Sequence, residues 1–323
     1  MGEERVSRKR DSAEQVVGYL REARNILFMP FQFIRNKTRP WRRRKKELKK
    51  KLEELEKINR TIAEMFALML KTETLAQPRY ADDRRLLKYG FKAYSQADED
   101  GIIQEIFRRI GVTNEIFIEI GVGDGLENNT LFLLLKGWQG AWIEGDAKLI
   151  KAIQHKFAPL QNNGRLKIKS AWVQKDNINS LIDDCGLPDE VDLLSLDIDG
   201  NDYHVLENIV PLKARVLVVE YNSKLPPPAK WVMGYNPDHF FTNTDYYGAS
   251  LKSFEQLLLK KGYLLVGCNI LGSNAFFVRK DLVEEHFHAD FSVENHYEPQ
   301  RYWLINAFSS GFPPDFGPYC DDK

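Results

Sequence analysis

The most informative stretch of the sequence reads Ile116-Phe117-Ile118-Glu119-Ile120-Gly121-Val122-Gly123-Asp124-Gly125. Its first half is β-branched or aromatic apart from one glutamate, which predicts a buried strand. Three glycines follow at alternate positions. Because glycine permits a tight turn and a close approach of the backbone to a ligand, this half predicts a binding turn. We therefore expect a strand that delivers the chain directly into a ligand site.

Strand and helix patterns alternate on both sides of this stretch from about residue 90 onward. The other predicted strands cover residues 141–144, 166–173, 191–197, 215–221, 263–268 and 275–279. The predicted helices cover residues 102–110, with Ser95 as a possible cap, and 126–136, 147–157, 205–209 and 251–261. This alternation predicts an α/β domain with a doubly wound, mostly parallel, seven-stranded sheet of the Rossmann-like kind, whose ligands bind at the carboxyl ends of the strands.

The spacing of the glycines indicates which ligand the turn accepts. A dinucleotide fingerprint, G-x-G-x-x-G/A, requires a small residue where this chain has Leu126. Glu144, at the end of the next strand, suits the two hydroxyls of a ribose, and the carboxylate of Glu119 precedes the first glycine by two positions, as in methyltransferases. The sequence predicts a site for S-adenosylmethionine, with a nucleotide-binding protein as the alternative. Its predicted residues are Glu119, Gly121, Gly123, Asp124, Gly125 and Glu144.

Two further segments carry a family resemblance. Residues 196–206, Leu-Asp-Ile-Asp-Gly-Asn-Asp-Tyr-His-Val-Leu, resemble the K-I-D-V-E-G-x-E-x-x-V-L signature of FkbM-type S-adenosylmethionine-dependent methyltransferases. Residues 95–103, Ser-Gln-Ala-Asp-Glu-Asp-Gly-Ile-Ile, resemble the S-Q-x-x-E-D-G-I-I segment of part of that family. The resemblance covers roughly residues 90 to 280. This chain departs from the signature at Leu196 and Asp199, so no role of the family's lysine is transferred to it.

The resemblance implies O-methyl transfer, often onto hydroxyls of sugars or natural products. It places Ala171 and Trp172 near the adenine of the cofactor and Asp197 between cofactor and acceptor. A saccharide or glycoconjugate is the acceptor we expect, possibly lipid-linked.

An acceptor hydroxyl needs a base, a metal or accurate positioning, because its pKa lies far above neutrality. Asp197, Glu220 and Asn222 follow two strands that neighbour one another in a doubly wound sheet, and their oxygens suit Mg²⁺. The alternative is that the acidic residues here cap a helix or hold a loop, as Asp199 and Asp202 are placed to do.

Two histidines are candidate bases if no metal binds. His204 lies on the helix after the acidic segment, and His239 lies in the long connection 224–248. A connection of that length between a strand and its helix is usually functional. Asp245, Tyr246 and Tyr247 in the same connection are candidates for sugar contacts or for packing of a lid.

Charge divides the chain unevenly, although its net charge is zero. Residues 1–70 carry 19 basic and 10 acidic side chains, and the remainder carries 27 and 36. In residues 1–46, apolar and aromatic side chains precede a polybasic cluster, which suits the surface of an anionic membrane or, alternatively, a solvated linker. No recognised binding module accompanies the cluster, so nucleic acid is not an expected partner. Three scattered cysteines and the lack of a long apolar run predict a cytoplasmic protein, and the basic segment adds a peripheral membrane location as an alternative.

A heptad pattern marks the segment 47–75. Its seam consists of Leu48, Leu52, Leu55, Asn59, Ile62, Phe66 and Met69, in alternating steps of four and three. This spacing predicts a coiled coil and a homo-oligomer through residues 48–69, with Asn59 at an a position. The alternatives are a helix folded back on the domain and a non-catalytic scaffold protein. The predicted domains are thus 1–46, 47–75, the methyltransferase-like 90–285 and a C-terminal extension, 286–323.

Overall fold

A computed structural model of the chain describes residues 41, 43–211 and 213–305. The predicted basic segment up to residue 40 and the end of the predicted C-terminal extension lie outside these residues. The chain divides into two compact units, Met1–Ile62 and Ala63–Lys323. In the first unit, residues 43–62 are helical, and the same helix, α1, ends at residue 75 in the second unit. Within the described ranges, every helix is too short or too polar to cross a membrane.

The second unit is built on one sheet with helices on both faces. The strands are β1 Ile116–Ile120, β2 Gln139–Glu144, β3 Leu166–Ser170, β4 Val191–Leu196, β5 Ala214–Glu220, β6 Tyr263–Cys268 and β7 Asn274–Arg279. The α-helices after α1 are α2 Glu99–Ile110, α3 Leu131–Leu135, α4 Ala147–Lys156, α5 Ala158–Asn162, α6 Ile178–Asp184, α7 Asp202–Asn208, α8 Leu251–Lys260 and α9 Val293–His296.

The strand order is β3-β2-β1-β4-β5-β7-β6, and only β7 runs antiparallel to the other six. The predicted seven-stranded, mostly parallel, doubly wound sheet is confirmed. From β1 the chain adds β2 and β3 on one side of the sheet and then crosses back to place β4 on the other side of β1. This change of direction leaves a crevice at the carboxyl ends of β1 and β4. Ligand-binding residues are therefore expected directly after β1 and β4.

Successive side chains of the buried strands lie on opposite faces of the sheet and pack into two hydrophobic cores, one on each face. Phe117 of β1 joins one cluster with Trp142 and Phe276, while Ile118 joins the other with Leu194. Strand β4 is buried along its whole length, as its nearly continuous apolar run predicts for a central parallel strand.

The predicted helix after the glycine turn differs most in extent. The pattern predicts a helix over 126–136, but α3 begins only at Leu131. The Asn128 side-chain oxygen accepts hydrogen bonds from the backbone N–H groups of Thr130 and Leu131, at 3.2 and 2.9 Å. Polar side chains thus take over the backbone donors at the start of the segment and hold it as a turn.

A buried network holds the segment before α2. One carboxylate oxygen of Asp100 accepts hydrogen bonds from the backbone N–H groups of residues 93–95 at 2.6–2.8 Å and from the Ser95 hydroxyl at 2.9 Å. Glu99 accepts a hydrogen bond from the Ala97 backbone at 2.7 Å and one from the Asn269 amide at 2.6 Å. The acidic motif therefore fixes the loop that contains Gln96 against the β6–β7 connection.

Asp98 makes the stability of this network depend on pH. Burial, followed by the charge of Glu99, raises the pKa of Asp98 from 3.8 to about 8. Between these values the folded chain holds a proton that the unfolded chain has lost, so raising the pH favours unfolding. One pKa unit corresponds to about 1.4 kcal/mol. We expect the melting temperature of wild type to fall between pH 5 and pH 8, and Asp98→Asn to reduce that fall.

Thermal melts of both proteins across this pH range provide the measurement. Asp183→Asn, at an exposed position of α6, serves as the control and should keep the slope of wild type. Equal slopes for Asp98→Asn and wild type would contradict the prediction.

Candidate functional site

The turn after β1 lies against the end of β4, as the strand order requires. Gly121 has φ +82°, and a Cβ atom built on it would lie 1.7 Å from the carbonyl oxygen of Asp197. A side chain is excluded there by both the backbone conformation and the neighbouring strand. Gly125 has φ +76°, and a Cβ there would meet the Phe157 and Trp142 rings at about 3 Å. Two of the three glycines are therefore required by packing.

Glu144 connects the end of β2 to this turn. One of its carboxylate oxygens accepts a hydrogen bond from the Gly123 N–H at 3.0 Å. The other accepts hydrogen bonds from the N–H groups of Gly145 and Asp146, at 2.7 and 2.8 Å. The carboxylate is thus held at the mouth of the crevice, which is the position predicted for a group that binds ribose.

Glu119 lies behind the turn instead of in the crevice. Its buried carboxylate accepts hydrogen bonds from the Asn129 backbone at 2.8 Å and from the Thr130 hydroxyl. The same hydroxyl accepts a hydrogen bond from the Trp142 indole at 2.8 Å. Burial raises the pKa of Glu119 from 4.5 to about 7. In this structure Glu119 shapes the turn, and no direct contact with a ligand follows from its position.

A cavity of about 390 Å³ opens at the crevice. It is lined by Gln96, Gly121, Val122, Gly123, Glu127, Ile143, Glu144, Gly145, Leu149, Trp172, Val173, Asp197, Ile198, Asp199, Asn201, Glu220, His239, Phe240 and Phe241. Four residues predicted to bind the cofactor belong to this lining: Gly121, Gly123, Glu144 and Trp172. The other four do not line the cavity but lie within two positions of a residue that does; they are Glu119, Asp124, Gly125 and Ala171.

Aromatic side chains close one end of the cavity. The Trp172 ring, after β3, lies 4.8 Å from that of Phe240, with 41° between the ring planes. Its indole N–H donates a hydrogen bond to the Pro237 carbonyl at 2.8 Å. Phe240 belongs to the long connection 224–248, so this connection covers the part of the cavity where an adenine is expected.

Three carboxyl groups of the cavity lining converge on one another. Oxygens of Asp197, Asp199 and Glu220 lie within 4.8 Å of one another. Asp197 and Glu220 are hydrogen-bonded to each other, and burial together with the neighbouring carboxylates raises the pKa of both well above the usual range. One oxygen of Glu220 is buried without a hydrogen-bond partner among the described residues. The carboxyl groups after β4 and β5 therefore converge as the sequence predicts.

Asn222, the third predicted metal ligand, is not part of the cavity lining. Its side-chain oxygen, the atom that would bind a metal, accepts a hydrogen bond from the Lys224 backbone N–H at 3.2 Å. Its amide nitrogen donates hydrogen bonds to the carbonyls of Asp245 and Tyr247, at 2.9 and 3.1 Å. The side chain therefore holds the long connection, and Asp199 takes the third position. Asp202 is also structural, because it accepts hydrogen bonds from the backbones of Ile198 and Gly200.

The two candidate histidines are separated by the fold. His204 forms a 2.7 Å hydrogen bond from its ring Nε2 to the Met233 carbonyl, and it is not part of the cavity lining. His239 lines the cavity, next to Asp199 and against the backbone of Gly200. Its Nε2 is buried without a hydrogen-bond partner among the described residues. Of the two, only His239 is available to a ligand in this cavity.

A second cavity, of about 620 Å³, adjoins the first. The two share Gln96, Asp199, Glu220 and Phe241 in their linings. Residues of the long connection, the β6–β7 connection and the C-terminal segment complete the second lining. They are Asn243, Thr244, Asp245, Tyr247, Ser273, Gln300, Tyr302 and Ile305, all polar except the last. Asp245 and Tyr247, predicted to contact a sugar, lie in this lining, whereas Tyr246 packs against Trp231 with 5.7 Å between ring centroids.

The sequence analysis did not select Gln96, Phe240 or Phe241 as site residues. Gln96 lies within the segment 95–103 that resembles the family's motif, and this resemblance is the signal that could have indicated it. No local pattern marks the two phenylalanines, because their contribution depends on how the long connection folds over the sheet.

No protein-family model matches the sequence, and a search of curated proteins finds no significant relative. Solved structures with a similar chain path include the magnesium protoporphyrin IX methyltransferase of Synechocystis with bound S-adenosylhomocysteine, at 12% identity and TM-score 0.40, covering 57% of this chain and 83% of that one. A putative caffeoyl-CoA O-methyltransferase of Staphylococcus aureus has 16% identity and TM-score 0.38, with 56% and 82% covered. Similarity at this level carries no argument about function, which depends on the residues of the cavities.

Proposed function

We propose that this chain is an S-adenosylmethionine-dependent O-methyltransferase that acts on a hydroxyl group of a saccharide or glycoconjugate. The observation that carries the proposal is the junction of two cavities at a carboxylate cluster. A predicted donor site fills the first cavity, a polar chamber forms the second, and Asp199 and Glu220 line both. The FkbM-like segments at residues 95–103 and 196–206 supply Gln96 and Asp199, and the end of β5 supplies Glu220.

The first cavity has the parts that S-adenosylmethionine requires. Its volume of about 390 Å³ lies in the range of small-molecule and cofactor sites. Glu144 is placed to accept hydrogen bonds from ribose hydroxyls, and Trp172 with Phe240 provides flat apolar surface for adenine. The methionine end then lies beside Gly121 and Asp197. This orientation directs the sulfonium methyl group toward the carboxylate cluster.

The second cavity suits an uncharged, hydroxyl-rich acceptor. Its described lining contains amide, hydroxyl, carboxylate and aromatic side chains and neither lysine nor arginine. An acceptor carrying phosphate or carboxylate would meet no lysine or arginine of this lining and would lie close to Asp199, Glu220 and Asp245, whose carboxylate already pairs with Lys224. Sugar hydroxyls, in contrast, pair with carboxylates, and their rings pack on aromatic faces such as Tyr247.

Methyl transfer places an acceptor oxygen in line with the sulfonium methyl group. A lone pair of the acceptor oxygen forms the new C–O bond while the C–S bond breaks. The electron pair of the C–S bond stays on sulfur, and S-adenosylhomocysteine is the product. His239 Nε2 is the group we assign to take the hydroxyl proton, with Asp199 stabilising the charged ring. Holding the methyl donor and the acceptor hydroxyl close together in a closed site lowers the activation barrier further.

The carboxylate cluster also fits a divalent cation such as Mg²⁺. The three side chains Asp197, Asp199 and Glu220 offer only oxygen ligands, and one buried Glu220 oxygen has no partner among the described residues. A bound cation would lower the pKa of the acceptor hydroxyl. Activity that persists undiminished in EDTA would remove the cation from the proposal and leave the assignment of His239 intact.

Calorimetric titration of the full chain tests the donor site. We expect S-adenosylmethionine and S-adenosylhomocysteine to bind with micromolar affinity and NAD not to bind. An absence of binding at millimolar S-adenosylmethionine would overturn the proposal, and selective binding of NAD would favour a different nucleotide-dependent enzyme.

Transfer of tritium from methyl-labelled S-adenosylmethionine tests the acceptor class. The panel comprises neutral oligosaccharides and methyl glycosides, with phosphorylated sugars and catechol as comparisons. Labelling of the neutral saccharides alone supports the proposal. Labelling restricted to catechol or to phosphorylated sugars would contradict the saccharide assignment while retaining the methyltransferase.

Gly200→Ala tests the role of His239. A Cβ at residue 200 would lie 2.2 Å from the His239 ring carbon Cδ2, so the ring must leave its position. We expect the transfer rate with the best acceptor of the panel to fall at least about 100-fold, in line with the loss of a general base, while S-adenosylmethionine still binds.

Gly234→Ala is the matched control for this change. Gly234 lies in the same long connection as His239, and a Cβ built on it would meet only the Tyr246 hydroxyl oxygen, at 3.7 Å. It should retain the rate of wild type. An unchanged rate in Gly200→Ala would remove His239 from the proposed chemistry.

A further inference from the structure

Helix α1 displays the heptad seam on an exposed face. In the first unit Leu48, Leu52, Leu55 and Ile62 are exposed by 69%, 56%, 57% and 59%, and in the second unit Met69 is exposed by 59%. These side chains occupy the a and d positions of successive heptads. Burying a large aliphatic side chain contributes about 1.5–3 kcal/mol. A row of this length is therefore a favourable surface for association.

Residues 63–75 of α1 use a different face to pack within the second unit. Ala67 and Thr74, at b positions of the heptad, are buried. Lys71, at an f position, donates a hydrogen bond from Nζ to the Gly90 carbonyl at 3.0 Å. A helix folded back on its own domain through the heptad seam would bury the a and d positions instead. Among the described residues, the contacts of residues 63–75 thus lie on a different face of α1 from Met69, whose side chain stays exposed.

We propose that the seam at residues 48–69 pairs with the same residues of a second copy of this chain, as a parallel, in-register, two-stranded coiled coil. Asn59 provides the first argument for this arrangement. In a parallel, in-register pair it faces its own twin, and the two amides form hydrogen bonds with each other. In an antiparallel pair a positions face d positions, so Asn59 would oppose Leu55 or Ile62 and leave a buried amide unpaired, which is destabilising.

Charge complementarity provides the second argument. Lys51 occupies a g position and Glu56 the following e position. A parallel, in-register pair brings Lys51 of each copy next to Glu56 of the other, which forms two interhelical ion pairs. Farther along the helix, the g positions hold Ile58 and Met65, which extend the apolar contact. The same seam therefore specifies both the partner and its orientation.

Light scattering coupled to gel filtration of the full chain tests the association. We expect wild type to elute with twice the mass of one chain. Leu55→Glu should give the monomer mass, with at least a 100-fold weaker association. Thr61→Glu adds the same charge at an exposed c position of the same helix and should remain dimeric. A monomeric wild type, or a dimer that survives Leu55→Glu, would overturn the proposal.

Melting temperature and far-ultraviolet circular dichroism of the three proteins control for folding. An unchanged melting temperature for Leu55→Glu shows that its monomer mass reflects the lost seam and not an unfolded domain. None of these readouts depends on cofactor binding or methyl transfer. Failure of the proposed function and failure of the dimer are therefore separable.

Leu52→Cys in a Cys320→Ser background tests the orientation. The cysteines Cys185 and Cys268 are buried, so the new thiol dominates mild oxidation. In a parallel pair the two copies of residue 52 are adjacent, and we expect disulfide-linked dimers in high yield. In an antiparallel pair residue 52 faces Ile62 or Met69 instead. A dimer by light scattering that forms no cross-link would exclude the parallel arrangement.

Discussion

Glu220→Gln is expected to lower the rate of methyl transfer by about 1,000-fold while raising the melting temperature of the protein. The loss of rate follows from the place of Glu220 at the junction of the two cavities. The amide has nearly the same shape but cannot carry the negative charge that holds a cation or polarises an acceptor hydroxyl. Removal of such a group typically costs 10²- to 10⁴-fold.

The gain in stability follows from the same geometry. Burial and the neighbouring Asp197 raise the pKa of Glu220, which means that its ionised form is disfavoured in the folded chain. The glutamine removes one of the two acids and donates an N–H to the other. The repulsion between carboxylates is then relieved, so function and stability change in opposite directions.

Transfer rate, S-adenosylmethionine affinity and melting temperature need to be measured on the same preparation. The melts are recorded in EDTA so that no cation offsets the repulsion in wild type. Glu127→Gln is the matched control, because Glu127 lines the first cavity outside the carboxylate cluster. It should change the transfer rate less than 10-fold. An unaltered rate in Glu220→Gln would remove the cluster from the mechanism.

Gly121→Ala is expected to abolish S-adenosylmethionine binding. A methyl group at this position would lie 1.7 Å from the Asp197 carbonyl oxygen, so the turn after β1 and the end of β4 must separate. This separation displaces the wall of the donor site on both sides. The positive φ of +82° adds a backbone cost of about 1–2 kcal/mol. We expect affinity to fall at least 100-fold and the melting temperature to decrease.

Gly164→Ala distinguishes the two parts of this effect. Gly164 has φ +80°, nearly that of Gly121, but nothing lies within 4 Å of its Cβ position. The control therefore carries the backbone strain without the steric clash. It should lose about 1–2 kcal/mol of stability and bind S-adenosylmethionine as wild type does. Equal affinities of Gly121→Ala and wild type in calorimetry would contradict the prediction.

The contrast between His204 and His239 shows where sequence reasoning reached its limit. In the sequence, His204 is the closer of the two to the acidic motif. In the fold, α7 turns His204 toward the Met233 carbonyl, and the long connection brings His239, 35 positions further on, against Gly200. Spacing along the chain predicts neighbours only inside a regular element, and His239 lies outside any.

Asn222 illustrates the same limit at closer range. Its position directly after β5 predicted a place beside Glu220, but a side chain there can turn either into the crevice or toward the following connection. The carbonyls of Asp245 and Tyr247 form its hydrogen bonds, and these partners are more than 20 positions away. The third carboxyl group is instead Asp199, whose backbone adopts φ +56°.

By itself, the sequence determined the strands, their doubly wound arrangement, the glycine turn with Glu144 and the heptad seam of α1. Each of these depends on local periodicity or on residues whose backbone freedom is distinctive, such as Gly121. Only the tertiary structure decided which side chains share a cavity. It placed Glu119 behind the turn, brought Trp172 and Phe240 together and joined the first cavity to the second at shared lining residues. Those outcomes depend on packing between segments distant in the chain, where no local rule relates one residue to the other.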